Sequence, residues 1–336
     1  MLYDDNESWD KKPKLSAKKA QKKGILRSAS SATTDRQSAD QQPSTIATVS
    51  SVYGGSVSLL IGDNVYEGTA PLSLITQLTV GDNVEIDIDT SPIRILSIKP
   101  RHTKLTRTKG EGGSRHHKQT LTIAANIDAA VIVATATNPT FEPELVDRYI
   151  ILCLAAKIEP IICLNKVDLT DERHPALAWY RAQGMQVIET SPKTTQGINE
   201  LRSLIRGKTA ILLGKSGAGK SSLINALLPN ANVKTQELSE HAGQGQHTTT
   251  RSDIHIWEPK SFLIDTPGIR TLDVSHVDDD DITLGFPDIL ELAQQCRFSD
   301  CKHLQEPSCA IQTAIANKQL PPWRWQSYQN IVEDIT

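Results

Sequence analysis

The sequence predicts an α/β domain that follows a small β-rich domain and precedes a helical segment. From Ile123 onward, apolar runs of strand length alternate with helical patterns, which favours a mostly parallel sheet covered on both faces. Between Thr45 and about Pro100 the pattern is instead a series of short β-rich stretches separated by glycine turns. After about Asp273 the strand pattern ends, and helical periodicity surrounds a group of cysteines. We therefore expect three folded parts in the 336 residues.

Residues 1–43 precede these parts and are expected to form a disordered basic extension. They are rich in Lys, Ser, Ala, Gln and Asp and hold few large apolar side chains, so they cannot bury enough surface to offset the entropy of ordering. The extension carries seven lysines, namely Lys11, Lys12, Lys14, Lys18, Lys19, Lys22 and Lys23. Such a basic block is commonly solvated, and it can also bind polyanions.

Residues 44–100 are predicted to form a small barrel, with the oligonucleotide-binding (OB) fold as the leading candidate. About five short strands are expected in this length, of which four are clear: Ile46–Val52, Ser56–Ile61, Asn83–Asp87 and Ile93–Ile98. Only Tyr53 and Tyr66 are available to stack on bases. Any nucleic-acid binding here is therefore expected to depend on shape and on phosphates.

Residues 101–122 are predicted to be a basic linker loop. Residues 101–118 contain one glutamate and six basic residues, which are Arg101, Lys104, Arg107, Lys109, Arg115 and Lys118. Gly110, Gly112 and Gly113 favour flexibility in the same stretch. Such a loop is suited to contacts with nucleic-acid phosphates.

Residues 123–273 are predicted to form the α/β domain. The predicted strands are Ala129–Ala134, Glu159–Leu164, Met185–Glu189, Thr209–Leu213, Ser252–Trp257 and Ser261–Ile264. The predicted helices are Glu142–Lys157, Asp171–Gln183, Ile198–Ile205 and Lys220–Leu228. Ligands of parallel sheets bind at the carboxyl ends of the strands, and the polar motifs follow such ends.

A glycine-rich turn between strand Thr209–Leu213 and the next helix has the pattern G-x-x-x-x-G-K-S. It consists of Gly214, Lys215, Ser216, Gly217, Ala218, Gly219, Lys220 and Ser221, followed by Ser222. In this context the backbone N–H groups of the turn cradle the phosphates of a nucleotide. Lys220 is expected to reach the β- and γ-phosphates, and Ser221 to ligate Mg²⁺.

A second motif, Asn165-Lys166-Val167-Asp168, follows strand Glu159–Leu164 and predicts the choice of base. The Asp168 carboxylate can accept hydrogen bonds from the guanine N1–H and amino group, which adenine cannot offer in that arrangement. Ser191, Pro192 and Lys193, after the next strand, are predicted to form the loop that backs the base. The base motif precedes the phosphate loop in this chain, whereas most GTP-binding domains have the reverse order. The inverted order indicates circular permutation.

A third motif, Asp265-Thr266-Pro267-Gly268, lies 45 residues after Lys220 and follows strand Ser261–Ile264. Asp265 fits the role of holding the Mg²⁺ shell, and the Gly268 N–H that of sensing the γ-phosphate. Residues 243–250 (GQGQHTTT) lie where the first switch belongs. Thr249 is our choice there for a further Mg²⁺ ligand among three adjacent threonines.

The residue that positions the attacking water is expected to differ from that of small GTPases. Those enzymes use a Gln directly after the glycine of the D-x-x-G motif. The corresponding residue here is Ile269, which carries no polar group. His247, in the switch loop, is therefore the candidate catalytic residue, together with Lys220; a simple solvated histidine is the alternative interpretation.

Cys296, Cys301, His303 and Cys309 lie within 14 residues and supply three sulfurs and one imidazole. Four such ligands satisfy a closed tetrahedral zinc site, and buried reduced thiols are the alternative. Cys153 and Cys163 lie in apolar stretches and are expected in the core.

The composition excludes several classes of protein. No run approaches 18 apolar residues, so we expect no membrane span, and the N-terminus has no apolar stretch of a secretory signal. We therefore expect a cytoplasmic protein with reduced cysteines. The net charge of −3 conceals one basic block in the N-terminal extension, a second at residues 101–118 and an acidic block at residues 278–281.

These motifs together resemble the circularly permuted small-ribosomal-subunit biogenesis GTPases, the RsgA or YjeQ-type family. The resemblance rests on the inverted motif order, the GKSGAGKSSL loop, the His-Thr-Thr-Thr switch, D-T-P-G and the Cys-Cys-His-Cys cluster. It covers residues from about Thr45 to the C-terminus. Two positions depart from the family pattern, with Gln246 where Arg is expected and Pro192 where Ala is expected.

The resemblance implies an N-terminal OB-type β-barrel, a circularly permuted P-loop GTPase domain and a C-terminal helical zinc-binding domain at residues 274–336. It also implies a GTPase that binds the small ribosomal subunit and its rRNA, assists late maturation and is stimulated by the subunit. His247 matches the family's catalytic histidine. Zn²⁺ and Mg²⁺ with GTP are the implied cofactors, and we expect a monomer. The alternatives are a stand-alone metabolic NTPase or phosphatase, and an RNA-binding scaffold that holds nucleotide without turnover.

Overall fold

Residues 45–53, 55–108, 120–228, 253–265, 274, 276–304 and 306–334 are described by the structure, which is a computed structural model. The basic extension at residues 1–43 and the glycine-rich stretch at residues 109–119 lie outside the described residues, so the expectations for them stay predictions. The same holds for the predicted domain boundaries.

A closed five-stranded barrel forms the N-terminal part. Its strands are β1 (Thr45–Tyr53), β2 (Ser56–Ile61), β3 (Asn64–Thr69), β4 (Asn83–Asp87) and β5 (Ile93–Ile98), with a short helix α1 (Leu72–Ile75) before β4. The order around the barrel is β1-β2-β3-β5-β4, and only the β3–β5 pair is parallel. Val49, Leu59, Val84 and Ile95 point inward and are buried. The prediction of a small N-terminal barrel is confirmed.

A two-stranded antiparallel hairpin follows the barrel, formed by β6 (Lys104–Thr108) and β7 (Thr120–Ala125). The sequence analysis predicted a loop over residues 101–122 and missed these strands; the side chains of β6 are mostly polar. One residue of the basic stretch, Arg101, forms an ion pair inside the folded part. Its Nε and Nη2 donate to the buried Asp82 carboxylate, at 2.6 and 2.8 Å. Arg101 is therefore a structural residue rather than a free cation, whereas Lys104 and Arg107 are exposed.

A six-stranded sheet forms the centre of the molecule. Its strands are β8 (Ala129–Thr135), β9 (Glu159–Asn165), β10 (Gln186–Glu189), β11 (Thr209–Leu213), β12 (Asp253–Glu258) and β13 (Ser261–Asp265). The order is β10-β9-β8-β11-β13-β12, with parallel pairing except for β12 at the edge. The predicted α/β sheet is confirmed.

Helices cover both faces of this sheet. They are α2 (Pro143–Ala155), α3 (Ala176–Ala182), α4 (Ile198–Ile205) and α5 (Lys220–Leu227). Successive residues of β8 alternate between two cores: Ile132 joins the core that contains α2 and α3, and Val131 joins the core that contains α4 and α5. The predicted helix Asp171–Gln183 begins later than expected, because Pro175 disfavours helical backbone at the residue before it.

The C-terminal part is helical, as predicted. Its helices are α6 (Asp279–Leu284), α7 (Pro287–Ala293), α8 (Ala310–Ala316) and α9 (Pro322–Glu333). The helical patterns in the sequence cover residues 287–295 and 310–318, and α6 and α9 lie outside them. The longest helix among the described residues is α2, with 13 residues, and no described helix is long and apolar enough to cross a bilayer.

Candidate nucleotide-binding site

The predicted nucleotide motifs converge at one edge of the central sheet. Asn165 ends β9, Gly214 follows β11 and Asp265 ends β13. Because these strands are parallel, their carboxyl ends lie on the same side. The sheet thus brings together residues that are up to 100 positions apart, from 165 to 265.

The phosphate loop requires glycine at two points of close approach. Gly214 has φ 143°, and a Cβ there would lie 2.3 Å from the Val133 carbonyl oxygen of β8. Gly219 has φ 88°, and a Cβ there would lie 2.4 Å from Nδ2 of Asn165. A larger residue at Gly214 would require a backbone shift, and one at Gly219 would displace the Asn165 side chain and strain the backbone at a positive φ. Ser216 and Gly217 form the exposed crest of the loop between them.

Lys220 begins helix α5 and turns its amine back over the phosphate loop. Its Nζ donates to the carbonyl oxygens of Gly214 and Lys215, at 2.7 and 2.9 Å. Burial lowers the pKa of Lys220. The charge of the Asp265 carboxylate acts in the opposite direction and raises that pKa. Ser221 follows in the first turn of α5 and is half-buried, and Ser222 is exposed.

Asn165 joins the base motif to the phosphate loop. Its side chain is 1% exposed, and its Nδ2 donates to the Ala218 carbonyl oxygen at 2.9 Å. The two motifs are 53 residues apart in the chain and occur in inverted order, yet they meet in this hydrogen bond. This contact is what the prediction of circular permutation requires.

Lys166 lies beside the base motif in left-handed backbone, with φ 61°. Its Nζ donates to the Asn138 carbonyl oxygen at 2.7 Å, and partial burial lowers its pKa. Val167 is buried beneath the turn. Asn138 was missed by the sequence analysis, because a backbone oxygen leaves no signal in residue type.

The Asp168 carboxylate accepts a hydrogen bond of 2.7 Å from Oγ of Ser191. Ser191 is fully buried, and its Oγ also accepts from the Thr194 N–H at 3.2 Å. Pro192 is half-buried and Lys193 is exposed. The predicted backing loop therefore lies directly behind the predicted base-reading carboxylate.

Glu142 is a second residue that sequence reasoning missed. Lys215 Nζ contacts both of its carboxylate oxygens, at 2.7 and 2.6 Å. This surface ion pair connects the phosphate loop to the segment that leads into α2. A carboxylate before a helix is too common to signal such a contact.

Three predicted site residues, His247, Thr249 and Gly268, lie outside the described residues, as does Ile269. Their roles stay predictions.

The four predicted metal ligands form one cluster in the C-terminal part. The ligand atoms of Cys296, Cys301, His303 and Cys309 all lie within 4.8 Å of one another. Nδ1 of His303 is 3.3 Å from the Cys296 sulfur and 3.5 Å from the Cys309 sulfur, and these two sulfurs are 4.0 Å apart. Tetrahedral zinc with these ligands requires separations of roughly 3.5 to 3.8 Å. The cluster can hold a metal ion and fits a zinc site.

Backbone contacts support the shape of this cluster. The Ala310 N–H donates to the Cys296 sulfur at 3.3 Å, as outer-shell groups do at metal sites. The Glu306 carboxylate accepts from the Lys302 and Leu304 N–H groups, both at 2.8 Å, and so fixes the turn that carries His303.

Comparison with known proteins decides the family. The family described as "RsgA GTPase" matches residues 98–275 of this chain. A small ribosomal subunit biogenesis GTPase RsgA of Haemophilus influenzae (strain PittGG) is 36% identical over 272 residues, which are 78% of this chain and 77% of that protein. The chain belongs to the RsgA GTPase family.

Further relatives and solved structures are similar to this chain. The protein of the same name from Bacillus anthracis is 38% identical over 216 residues, covering 63% of this chain and 73% of that one. The crystal structure of YjeQ from Thermotoga maritima matches with a TM-score of 0.64 and 25% identity, over 87% of this chain and 98% of that one. YloQ, described as a circularly permuted GTPase, matches with a TM-score of 0.62 and 26% identity, over 90% and 98%. The predicted fold class and permutation are confirmed.

Proposed function

We propose that this chain binds GTP and hydrolyses it to GDP and phosphate on the small ribosomal subunit, during late maturation of that subunit. The subunit stimulates the hydrolysis. Membership in the RsgA GTPase family, with relatives named for small-subunit biogenesis, carries the proposal. The hydrogen bond between Asn165 and Ala218 supports it, because it unites both nucleotide motifs in one site. No observation favours a stand-alone NTPase or a scaffold without turnover.

The base and the phosphates of GTP are bound by different loops in this proposal. Asp168 reads the guanine N1–H and amino group, with Asn165, Lys166 and Val167 beside it and residues 191–193 behind it. The phosphates lie on the N–H groups of residues 214–222, and Gly268 senses the γ-phosphate. The contact of Ser191 with Asp168 supports this assignment, because it orients the carboxylate.

Mg²⁺ is proposed to be held by Ser221, Asp265 and Thr249. Hydroxyl and carboxylate oxygens are ligands that Mg²⁺ prefers, and the effect of Asp265 on the pKa of Lys220 supports its proximity to the phosphate loop. When bound with GTP, Mg²⁺ neutralises charge on the phosphates. Zinc is the metal that the three thiols and one imidazole of the cluster fit best, in a structural role with no open position.

Lys220 and His247 have separate roles in catalysis in this proposal. Lys220 binds the β- and γ-phosphates and stabilises the charge that develops on them. His247 orients the attacking water, since Ile269 has no group to do so. Because the site lacks a strong water-orienting side chain at that position, turnover by the isolated protein is expected to be slow.

The ribosomal partner is proposed to be rRNA, contacted in part by the hairpin of β6 and β7. Lys104 and Arg107 are exposed on it, and Lys109, Arg115 and Lys118 follow in the sequence. We further propose that the chain works as a monomer in the cytoplasm.

Association with purified small subunits tests this function. Pelleting with a non-hydrolysable GTP analogue should retain more protein than pelleting with GDP, and an ATP analogue should act no better than no nucleotide. Binding should fall steeply with salt, and Arg107→Ala should reduce the salt slope by about one. Lys260→Asn is the matched control, because it removes one exposed charge from the turn between β12 and β13, outside the hairpin. Nucleotide-independent association would contradict the proposal.

A further inference from the structure

A hydrogen bond joins the basic hairpin to the segment of chain that enters α6. Oγ1 of Thr106, in β6, lies 3.1 Å from Nε2 of His276, and the two residues are 170 positions apart in the sequence. His276 follows Asp265, the last residue of β13, by 11 positions, and it precedes the N-cap of α6, Asp278, by two. The contact therefore connects the hairpin to the chain that follows the D-T-P-G motif.

The pairing of β6 with β7 is irregular at the residue that makes this contact. Leu105 and Thr106 are adjacent in β6, but their partners in β7 are two positions apart, so Ile123 is an extra residue. Such β-bulges bend a strand locally and re-aim its side chains. Leu105 is buried next to the irregularity, and Thr106 is half-buried. The irregular pairing thus accompanies a hairpin side chain that contacts a distant segment.

Apolar side chains hold the same segment against the hairpin. Val274 and Val277 are buried, and they belong to the same hydrophobic core as Leu105 of β6 and Leu152 of α2. The Val277 N–H donates to the Val274 carbonyl oxygen at 2.9 Å, which forms a tight turn around His276. The segment therefore shares its apolar side chains with the core, and His276 is its polar contact with β6.

Open space lies beside this contact. A cleft of about 330 Å³ is bounded by β6, by the C-terminal end of α2 and by residues 276–281. A closely packed interior resists displacement of its parts, whereas a cleft leaves room for one of its walls to shift. Residues 276–278 form one such wall, so they can move relative to β6 without first opening a fully packed interface.

We infer that the contact between His276 and Thr106 couples the nucleotide switch to the basic hairpin. The γ-phosphate orders the D-T-P-G switch, and hydrolysis releases it. In the GTP form the ordered chain holds His276 against β6, and in the GDP form this hydrogen bond is lost, which loosens the hairpin that contacts rRNA. The two states thus differ in a named contact, as a change driven by a ligand requires. The inference rests on the proposed function, from which it takes the switch and the role of the hairpin.

Hydrogen–deuterium exchange of the full-length protein, without ribosomal subunits, tests this coupling. Peptides that cover β6 and β7 should exchange more slowly with a non-hydrolysable GTP analogue than with GDP. One hydrogen bond changes a local opening equilibrium by roughly two- to tenfold, so the exchange rates should differ by about that factor. His276→Ala should abolish the difference. His102→Ala is the matched control, because His102 lines the same cleft but pairs with Asp128, at 3.5 Å, so this variant should keep the difference.

Variants of Thr106 keep the test decisive if His276→Ala does not fold. Thr106→Val keeps the shape and removes the hydroxyl, and it should also abolish the difference in exchange, whereas Thr106→Ser should retain it. In pelleting with small subunits, Thr106→Val should lower the ratio of affinities between the GTP-analogue and GDP forms by roughly two- to tenfold. The double variant with His276→Ala should lower this ratio no further, because both changes remove the same hydrogen bond.

Three results would overturn the inference while the proposed function stands. They are equal exchange of the wild-type hairpin in the two nucleotide forms, a difference that persists in Thr106→Val, and additive losses in the double variant. A wild-type protein that binds neither the GTP analogue nor GDP would instead refute the proposed function, and the inference with it.

Discussion

At the scale of single residues, Asp168 is the residue proposed to select guanine. Its carboxylate accepts from Ser191, which leaves further lone pairs for the guanine N1–H and amino group. An amide at this position can accept from N1–H and donate to a carbonyl at position 2, which is the pattern of xanthine. Asp168→Asn should therefore lower kcat/KM for GTP by roughly 100-fold or more and create activity toward XTP. Retention of the GTP preference in this variant would contradict the role of Asp168.

His247 is the residue whose assignment depends most on the sequence motif. His247→Ala should reduce kcat by roughly 100-fold and leave GTP affinity within about threefold, because the residue orients water rather than nucleotide. Lys220→Ala is the contrasting variant: it should abolish hydrolysis and also weaken binding, because its amine lies over the phosphate loop. Measurement of kcat by single turnover and of affinity by equilibrium titration separates the two effects. A large loss of affinity in His247→Ala would refute a purely catalytic role.

At the scale of elements, Arg324 attaches helix α9 to the central domain. It is 2% exposed and donates to Asp147 of α2 at 2.6 Å and to Asp288 of α7 at 2.9 and 3.1 Å. Burial raises the pKa of Asp147, and the charge of Arg324 opposes that shift. Ser327 and Tyr180 also donate to Asp147. Arg324 and its two carboxylate partners thus connect three helices.

Removal of Arg324 should destabilise the protein in a pH-dependent way. Arg324→Ala leaves a buried, uncompensated carboxylate and should lower the free energy of unfolding by about 3 to 5 kcal/mol at neutral pH. The pKa of Asp147 then rises further, so the folded state binds a proton more readily than the unfolded state. The loss should accordingly be smaller near pH 5 and grow as the pH rises to 8.

Arg148→Ala is the matched control for that experiment. Arg148 also lies on α2, but its partners Glu144 and Asp334 are partly exposed, so its loss should cost at most about 1 kcal/mol. Urea unfolding of both variants at the two pH values provides the comparison. An Arg324→Ala deficit that is independent of pH, or no larger than that of Arg148→Ala, would refute this account.

A separate prediction concerns the zinc content of the metal cluster and the stability of the C-terminal helices around it. The purified protein should contain about one equivalent of zinc, and Cys309→Ser should lose the metal and the helical signal of this region. Cys153→Ala is the control, because Cys153 is buried in α2 and is not among the four grouped ligands, so this variant should leave the zinc content unchanged. Zinc content by atomic absorption, with circular dichroism, checks both. Full retention of zinc by Cys309→Ser would exclude this ligand set.

Elements with a local signal could be predicted from the sequence, and those that depend on distant partners could not. The run of Ile211, Leu212 and Leu213 before Gly214 specifies a buried strand and a tight turn, and the structure agrees. Strand β6 reads KLTRT, and its pairing with β7 is visible only in three dimensions. Helix α9 was missed because its buried side chains include the charged Arg324. Burial of a charged side chain requires oppositely charged partners, and the sequence alone does not reveal them.

At the scale of the whole molecule, permutation changes which segment is joined to the nucleotide switch. The D-T-P-G motif begins at Asp265, the last residue of β13, and the C-terminal helical part follows it in the sequence, so we expect release of the switch on loss of the γ-phosphate to be transmitted to that part first. Helix α9 is meanwhile held against α2 by the buried Arg324–Asp147 pair. We therefore expect the nucleotide to move the segment that enters α6 while α9 stays attached to the central domain.

The most direct test of the account is GTP hydrolysis with and without purified small ribosomal subunits. The isolated protein should turn over GTP slowly, and small subunits should raise the rate by roughly tenfold or more, with no effect of large subunits and no hydrolysis of ATP. Asp168→Asn should show the same stimulation with XTP in place of GTP, which ties the effect to this site. A GTP hydrolysis rate that small subunits leave unchanged would contradict the central claim that this nucleotide site works on the ribosome.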